Sequence, residues 1–386
     1  MNIEPIKGKV FGAKVTGLRL AKLTETEFRE VHAAFLEYGF LFFPEQHLND
    51  EDNIAFGQRF GELEFGALPL ANQIRHKDGS FGEIAEPESQ WMKTNQGNEA
   101  WHTDSTYWPI SSKVAMLSAV KLPSSGGQTE FADMRAGYAT LPQSIKDQIA
   151  GLSAYHSTVF SQANDVDNFI EIKDGSIYHG EAYLRPLVKT HPETGIKNLF
   201  IGRHAFGIPG LTREASRRLL SDLMQHVLAD PARVYSHEWA VGDTLIWDNR
   251  ALLHRACAYN YAEPRVLIGT RIRGDEASEL AYYPDAPGRL WVARHCKKKW
   301  TRYAPSAQPS LHSPSERRAG DQTHPLISMM AFTWELHPWC GSTSSVTVGH
   351  GGSWRQGGTK SMHFARRTLP GTHPPARRER VIEPTL

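Results

Sequence analysis

The stretch Trp101-His102-Thr103-Asp104-Ser105 decides the fold of this chain, together with three later elements: Trp247-Asp248-Asn249-Arg250, His254 and Arg265. Side chains at positions i and i+2 of a strand point to the same face, so His102 and Asp104 can bind one metal ion from a single strand. His254 must come from a distant strand that the fold brings alongside. Two imidazoles and one carboxylate can hold one face of an Fe(II) ion and leave three coordination positions open.

Arg265 follows His254 by eleven residues. A guanidinium beside a metal with open positions can clamp a dicarboxylate as a bidentate partner. The alternative interpretation is that Arg265 is a solvated surface arginine that follows Pro264. The two metal motifs and the arginine together favour an oxygen-activating iron enzyme that uses 2-oxoglutarate.

Pairs of the form His-x-acid are weak evidence when taken singly, because this chain contains four of them. The pairs at residues 76–78 and 191–193 contain or adjoin Gly or Pro and are predicted to be turns. Taken alone, each of these pairs, including the one at residues 179–181 with Gly180, is interpreted as structural. His102 differs because an aromatic residue precedes it and a β-prone run at residues 114–120 follows.

The longer segments around these residues resemble the taurine/2,4-dichlorophenoxyacetate dioxygenase family. The supporting segments are Trp101-His102-Thr103-Asp104-Ser105, Met116-Leu117-Ser118-Ala119-Val120, Gly126-Gly127-Gln128-Thr129-Glu130-Phe131-Ala132-Asp133-Met134-Arg135 and Trp247-Asp248-Asn249-Arg250 with His254-Arg255. The resemblance covers residues 5–276, and the motifs occur in the family's order. Residues 130–138 and 199–211 are more similar to the dichlorophenoxyacetate branch than to the taurine branch.

The resemblance implies a role for each matching position. Its metal ligands would be His102, Asp104 and His254, with Fe(II) as the metal and 2-oxoglutarate and dioxygen as cosubstrates. Arg265 would pair with the distal carboxylate of 2-oxoglutarate, and Thr129 would hydrogen-bond that carboxylate. A β-branched strand residue explains Thr129 equally well from the sequence alone. Asn98 matches a position near the cosubstrate and the substrate in the taurine branch.

The implied activity is hydroxylation of a small organic anion, an aryloxyalkanoate or a sulfonate, with succinate and carbon dioxide as coproducts. One position departs from the family. A second arginine that helps to hold the anionic group of the substrate often lies four residues after the cosubstrate arginine, and here that position is Gly269. Arg271 lies an even number of residues from Arg265, so on an unbroken strand it would share its face. Arg271 or Arg273 is the candidate replacement for the missing arginine, and the alternative is that Arg271 is exposed.

The charge of the chain is distributed unevenly. The 386 residues carry a net charge of +1, but residues 1–287 contain 28 basic and 37 acidic residues, and residues 288–386 contain 15 and 5. The later part is rich in Ser, Gly, Pro and Arg and has no sustained apolar period after residue 300, which is typical of disordered segments. We predict a dioxygenase domain at residues 1–287 and a basic, disordered tail of unknown role at residues 288–386.

Composition favours a cytoplasmic enzyme with a small-molecule substrate. No apolar run reaches the roughly eighteen residues that a membrane span needs, and the N-terminus lacks the features of a signal peptide. Three cysteines are too few for a disulfide framework. A basic tail with tryptophans could bind nucleic acid, but we do not expect that partner. The sequence is compatible with a homo-oligomer and does not establish one.

Apolar periodicity and capping residues predict an α+β fold. Helices are predicted from Thr24 or Thr26 to Gly39 and at residues 50–60 and 212–228. Strands are predicted at residues 10–18 (a pair), 40–43, 114–120, 238–240, 244–247 and 266–272. Many short strands separated by turns favour a jelly-roll barrel. The double-stranded β-helix implied by the resemblance is the same architecture, here with flanking helices.

Two other classes of protein can use parts of this pattern. A zinc-type isomerase or hydrolase on a cupin-like barrel could use the same three ligands, but it would not need Arg265 and Thr129. A non-catalytic protein could bind 2-oxoglutarate without turning it over. Release of succinate that depends on added Fe(II) would distinguish the dioxygenase from both.

Overall fold

The computed structural model describes residues 1–166 and 182–281. The predicted domain boundary at residue 287, the tail at residues 288–386 and the His-x-acid pair at residues 179–181 lie outside the described residues. In the described part, the helices are α1 (Glu25–Tyr38), α2 (Asp50–Gln58), α3 (Gln90–Gly97), α4 (Met134–Ala139), α5 (Gln143–Ile149), α6 (Thr158–Val166), α7 (Arg213–Leu228) and α8 (Glu276–Glu279).

The strands are short and are distributed along the whole described chain. They are β1 (Asn2–Pro5), β2 (Ala13–Thr16), β3 (Phe40–Phe43), β4 (Leu63–Ala71), β5 (Gln73–Arg75), β6 (Phe81–Ile84), β7 (Ser112–Lys121), β8 (Thr129–Asp133), β9 (Ser153–His156), β10 (Tyr183–Pro186), β11 (Val188–Thr190), β12 (Lys197–Leu199), β13 (Ala205–Phe206), β14 (Val234–His237), β15 (Thr244–Asp248), β16 (Leu252–Ala256) and β17 (Val266–Arg273).

Two sheets enclose the candidate site. The larger has seven strands in the order β1-β2-β3-β15-β7-β17-β4, and the smaller has three in the order β14-β8-β16. The pairings are antiparallel except for β2 with β3. Residues of β4, β7, β15 and β17 from the larger sheet and of β8 and β16 from the smaller sheet line one cavity. The α+β class predicted from the sequence is therefore confirmed.

Local sequence signals explain where the first helices begin and end. The Thr24 side chain accepts from the backbone of Glu27, and the Glu27 side chain accepts from the backbone N–H of Thr24, which satisfies the free N–H groups at the start of α1. Gly39 ends the helix in the left-handed conformation, with φ of 71°. Asn49 and Asp52 form the same reciprocal cap on α2. The predicted helices at residues 24–39, 50–60 and 212–228 are confirmed within a few residues.

Two of the predicted strands are placed wrongly. Residues 238–240 are not a strand, and the strand that pairs with β8 is β14, directly before them. The opening strand pair consists of β1 and β2, so its first strand lies upstream of the predicted residues 10–18. Both errors concern short edge segments, where pairing with a neighbouring strand decides the boundary and local propensity does not.

The core lies between the helices and the two sheets. Phe35 of α1, Phe43 of β3 and Phe56 of α2 are buried in one apolar cluster, and Phe131 of β8 and Trp247 of β15 are buried in another. Within residues 1–166 and 182–281, no helix is long and apolar enough to cross a membrane.

The end of the described chain is attached to the body by a buried ionic contact. Glu279, 1% exposed, accepts from the Ser111 hydroxyl at 2.9 Å and lies within ion-pair distance of the Lys189 ammonium. The Arg185 guanidinium donates to the Glu279 carbonyl at 2.9 Å. Removal of one member of a buried pair leaves the other charge uncompensated, so α8 belongs to the folded domain.

Candidate active site

Backbone pairing brings the two predicted histidine ligands together. The N–H of His102 donates to the carbonyl of His254 at 2.9 Å, and the N–H of His254 donates to the carbonyl of His102 at 2.9 Å. The centroids of the two imidazole rings are 4.1 Å apart. His254 lies on β16, more than 150 residues away along the chain, as the spacing of the motifs predicted. The predicted single strand for His102 and Asp104 is wrong, because His102 forms an isolated bridge with His254 and Asp104 lies in the turn that follows.

The second motif explains how Asp104 is held. Asn249 accepts from the backbone N–H of Asp104 at 2.9 Å and donates to its carbonyl at 2.9 Å. The same amide donates to the carbonyl of Ser112, at 3.0 Å. Asp248 and Arg250 form a buried ion pair beside this amide. The run Trp247-Asp248-Asn249-Arg250 therefore positions the loop that carries Asp104 and contributes no ligand atom itself.

His102, Asp104 and His254 form a buried cluster whose ligand atoms all lie within 4.8 Å of one another. The Nε2 atom of His254 is 3.6 Å from Oδ2 of Asp104, and the Nε2 atom of His102 is 4.0 Å from Oδ1. Nδ1 of His102 donates to the Ala100 carbonyl at 2.8 Å, which leaves the lone pair on Nε2 directed toward the cluster.

The charge states of these groups suit a metal ion. Burial lowers the pKa of both His102 and His254, so the imidazoles are neutral and can donate a lone pair. Burial also raises the pKa of the Asp104 carboxyl, but Arg271, His254 and His102 outweigh it and hold that pKa below its ordinary value. Two neutral imidazoles and one carboxylate fit Fe(II) and leave room for further ligands.

Arg265 is a buried cation beside this cluster. Its guanidinium, on a residue only 7% exposed, donates to the Gly127 carbonyl from Nε at 3.2 Å and from Nη2 at 2.9 Å, and it lies 5.5 Å from the Tyr259 ring centroid. Among the residues that the structure describes, no carboxylate lies within ion-pair distance of it. A buried cation without a counterion is costly, so this position calls for an anionic ligand.

Thr129 and Asn98 line the same cavity as Arg265. Thr129 is buried on β8, and its hydroxyl accepts from Nε1 of Trp239 at 3.1 Å, so its own proton is available to a ligand. The carbonyl of Asn98, at the end of α3, accepts from the N–H of Ala256 on β16 at 2.8 Å. The structure therefore brings all six predicted site residues to one cavity.

The cavity has a volume of about 100 Å³ and lies between the two sheets. Its polar groups are concentrated at the metal-ligand cluster and at Arg265. Apolar side chains from β4, β7 and β17 form much of the remaining wall: Phe65, Leu68, Leu70, Met116, Leu117 and Leu267. A pocket of this kind takes a ligand with one polar end and one apolar part.

Comparison with known proteins agrees with this geometry. Residues 2–271 match the model of a family described as taurine catabolism dioxygenase TauD, TfdA family. The chain belongs to this family. A family relative, an (S)-phenoxypropionate/alpha-ketoglutarate-dioxygenase of Sphingobium herbicidovorans, is 45% identical over 285 residues, which are 72% of this chain and 97% of the relative.

Two further proteins are similar to this chain over most of their own length. An alpha-ketoglutarate-dependent 2,4-dichlorophenoxyacetate dioxygenase of a Burkholderia species is 35% identical over 280 residues, 68% of this chain and 93% of the relative. The crystal structure of AAD-2 in complex with Mn(II) and N-oxalylglycine has a TM-score of 0.66 and 35% identity, and it covers 72% of this chain and 98% of that one. The chain is thus an Fe(II)- and 2-oxoglutarate-dependent dioxygenase, as predicted.

The resemblance implied a substrate-binding arginine at position 269, where this chain has glycine. Gly269 lines the cavity on β17, and a Cβ atom added to it would lie 2.4 Å from Cδ1 of Leu70. Arg273 pairs with the exposed Glu62 at 3.3 Å and is absent from the cavity wall. Arg271 does line the cavity, but its Nη2 donates to Oδ1 of Asp104 at 2.6 Å.

Sequence reasoning missed one buried carboxyl close to the cluster. Glu64, whose side chain is 1% exposed, contacts Ser105 and lies 3.8 Å from the Arg271 guanidinium. Burial raises the pKa of Glu64 to about 7, against the lowering effect of Arg271 and Ser105. No motif contains Glu64, and it lies on β4, a strand that was not predicted, so the sequence carried no signal for it.

Proposed function

We propose that His102, Asp104 and His254 ligate Fe(II), and that Arg265 holds the distal carboxylate of 2-oxoglutarate. The observation that carries this proposal is the buried guanidinium of Arg265, which lacks a carboxylate partner in the described part of the chain and shares a cavity with the three ligands. A zinc-type hydrolase would have no use for such a cation. Measurement of succinate release that depends on both Fe(II) and substrate tests the proposal.

Arg265, Thr129 and Asn98 each have one task in the proposed reaction. Arg265 fixes one end of the cosubstrate, and Thr129 donates a hydrogen bond to the same carboxylate. Asn98 limits the space beside the cosubstrate and the substrate. When bound, Fe(II) with 2-oxoglutarate and dioxygen supplies the oxidising chemistry, and the cosubstrate leaves as succinate and carbon dioxide. The apolar wall excludes water from the reacting atoms.

We infer that the substrate is a small organic anion, with an aryloxyalkanoate as the first class and a sulfonate as the second. Two observations support the first class. The cavity wall contributed by β4 is apolar and includes the ring of Phe65, and the relatives named for phenoxypropionate and 2,4-dichlorophenoxyacetate are 45% and 35% identical. Hydroxylation of the carbon that bears the ether oxygen gives a hemiacetal or hemiketal, which breaks into a phenol and a carbonyl acid.

A substrate panel tests this inference. We expect phenoxypropionates and phenoxyacetates to be turned over with release of a phenol and one equivalent of succinate, and alkylsulfonates to be slower. The matched controls are the methyl esters and amides of the same aryloxy acids, which keep the apolar part and lack the charge. Turnover restricted to the neutral compounds would contradict the proposed substrate class, although succinate release would still support the dioxygenase.

We also propose that the two sheets are the halves of a double-stranded β-helix. The seven-stranded and three-stranded sheets contribute lining residues to one cavity, and their strands run mostly antiparallel, which supports a jelly-roll core. A crystal structure of the full chain tests this architecture. The cytoplasmic location and the homo-oligomer stay predictions from the sequence.

The proposed dioxygenase domain ends near Pro287. The six site residues precede residue 266, and the buried contact of Glu279 with Lys189 and Ser111 requires α8. A chain ending at Pro287 should therefore fold, bind metal and release succinate at the rate of the full chain. A chain ending at Gly274 serves as the control, because it leaves Lys189 buried without Glu279 and should be unstable in thermal unfolding. Loss of activity in a folded chain that ends at Pro287 would assign the tail to the active site.

A further inference from the structure

A cluster of buried polar groups lies behind the proposed iron ligand Asp104. Arg271 is its centre: Nη2 donates to Oδ1 of Asp104 at 2.6 Å, and Nη1 donates to the Ser105 hydroxyl at 3.2 Å. The Ser105 hydroxyl in turn donates to Oε1 of Glu64, and the same Oε1 lies 3.8 Å from Nη1 of Arg271. Arg271 therefore connects two carboxylates, one of which faces the histidines.

The two oxygens of Asp104 have different surroundings. Oδ1 accepts the short bond from Arg271 and is 4.0 Å from Nε2 of His102, whereas Oδ2 is 3.6 Å from Nε2 of His254. A carboxylate whose first oxygen is held in this way offers mainly its second oxygen to a metal ion. The orientation of Asp104 thus depends on the position of Arg271, which depends on Ser105 and Glu64.

Glu64 has features that core packing does not explain. Its side chain is 1% exposed, and Oε2 has no hydrogen-bond partner in the described part of the chain. Ser105, which it contacts, has a φ of 55°, a left-handed conformation that is uncommon outside glycine. A buried acid with an unsatisfied oxygen beside a strained residue costs stability, and such costs are characteristic of functional sites.

We propose that Glu64 is a positioning residue for the metal centre: through Ser105 and Arg271 it orients the Asp104 carboxylate and offsets the charge of the guanidinium next to the metal. This rests on the proposed function of His102, Asp104 and His254. With Glu64 ionised, the group of Glu64, Arg271 and Asp104 carries a net charge of −1, which attracts a dication. Without the charge of Glu64 the group is neutral, and Arg271 competes more strongly with the metal ion for the Asp104 carboxylate.

Binding of Mn(II), which does not oxidise in air as Fe(II) does, to the full chain at about pH 8 tests this proposal without turnover. Groups that orient metal ligands typically contribute about 10–100-fold to metal affinity. We therefore expect Glu64→Gln to weaken Mn(II) binding by about 10-fold or more, and Arg271→Lys, which keeps the charge and loses the planar fork, to act in the same direction. The matched control is Glu62→Gln, which removes the exposed carboxylate paired with Arg273 and should leave the affinity unchanged.

Thermal unfolding of the metal-free variants separates this role from a structural one. The folded-state pKa of Glu64 is raised above its unfolded value, so wild-type stability falls as the pH rises from about 4.5 to about 7. Glu64→Gln abolishes that loss and should be at least as stable as wild type at about pH 8, while binding metal less tightly. Opposite changes in stability and metal affinity would support the positioning role.

Three results would overturn the proposal. The first is unchanged Mn(II) affinity in folded Glu64→Gln. The second is unchanged Mn(II) affinity with weaker substrate binding in Arg271→Lys, because Arg271 would then be a substrate anchor. The third is a wild-type chain that binds no Mn(II), which would overturn the proposed metal ligands as well. Failure of the ligand assignment is thus distinguished from failure of the positioning role of Glu64, in which the wild-type chain still binds Mn(II).

Discussion

Replacement of His254 by Ala is expected to abolish metal binding and turnover. The variant loses one of three donor atoms that lie within 4.8 Å of one another in a buried cluster. Residues that only orient a ligand contribute about 10–100-fold to metal affinity, so loss of the ligand itself should cost more than about 100-fold. Calorimetric titration with Mn(II) and succinate release with Fe(II) measure the two effects.

The matched control is His226→Ala. His226 lies on α7 outside the cavity, where it contacts the Thr140 hydroxyl and the Gly137 carbonyl. Its loss should leave metal binding and turnover close to wild type. Stoichiometric metal binding with normal activity in folded His254→Ala would show that the metal lies elsewhere.

Arg265→Ala is expected to weaken the binding of 2-oxoglutarate to the metal-loaded chain. Loss of one partner from a buried, hydrogen-bonded charge pair costs about 2–5 kcal/mol, which corresponds to about 30-fold or more in affinity. The affinity for Mn(II) in the absence of 2-oxoglutarate should stay the same, because Arg265 contacts the Gly127 carbonyl and no proposed ligand. Titration of 2-oxoglutarate into the Mn(II)-loaded variant measures the change.

Arg273→Ala controls for the loss of a guanidinium from the same region of the chain, since Arg265 directly precedes β17 and Arg273 ends it. Arg273 pairs at 3.3 Å with Glu62, which is largely exposed. Because Arg273 is absent from the cavity wall, its loss should not change the affinity for 2-oxoglutarate. Equal affinities in Arg265→Ala and wild type would mean that another group holds the distal carboxylate.

The clustering of His102 with Asp104 could be predicted from the sequence because its signal is local. His102 and Asp104 are two residues apart, so both can reach one ion wherever their segment lies in the fold. The ends of α1 were predictable for a similar reason, since Thr24, Glu27 and Gly39 satisfy or terminate backbone hydrogen bonds within a few residues. The edge segment at residues 238–240 was predicted wrongly because strand pairing is not a local property.

The sequence by itself determined the residue types, their order and the spacing that places two ligands on one segment. Only the tertiary structure decided what Arg271 does. Its even separation from Arg265 left open whether it shares the face of Arg265 or is exposed, and in the structure both residues line one cavity, although β17 has an irregular register between Gly269 and Arg271. Its partners Asp104 and Glu64 lie 167 and 207 positions away along the chain. Such contacts depend on how β4, β17 and the loop at Asp104 pack, because both carboxylates that surround this buried guanidinium come from segments distant in the sequence.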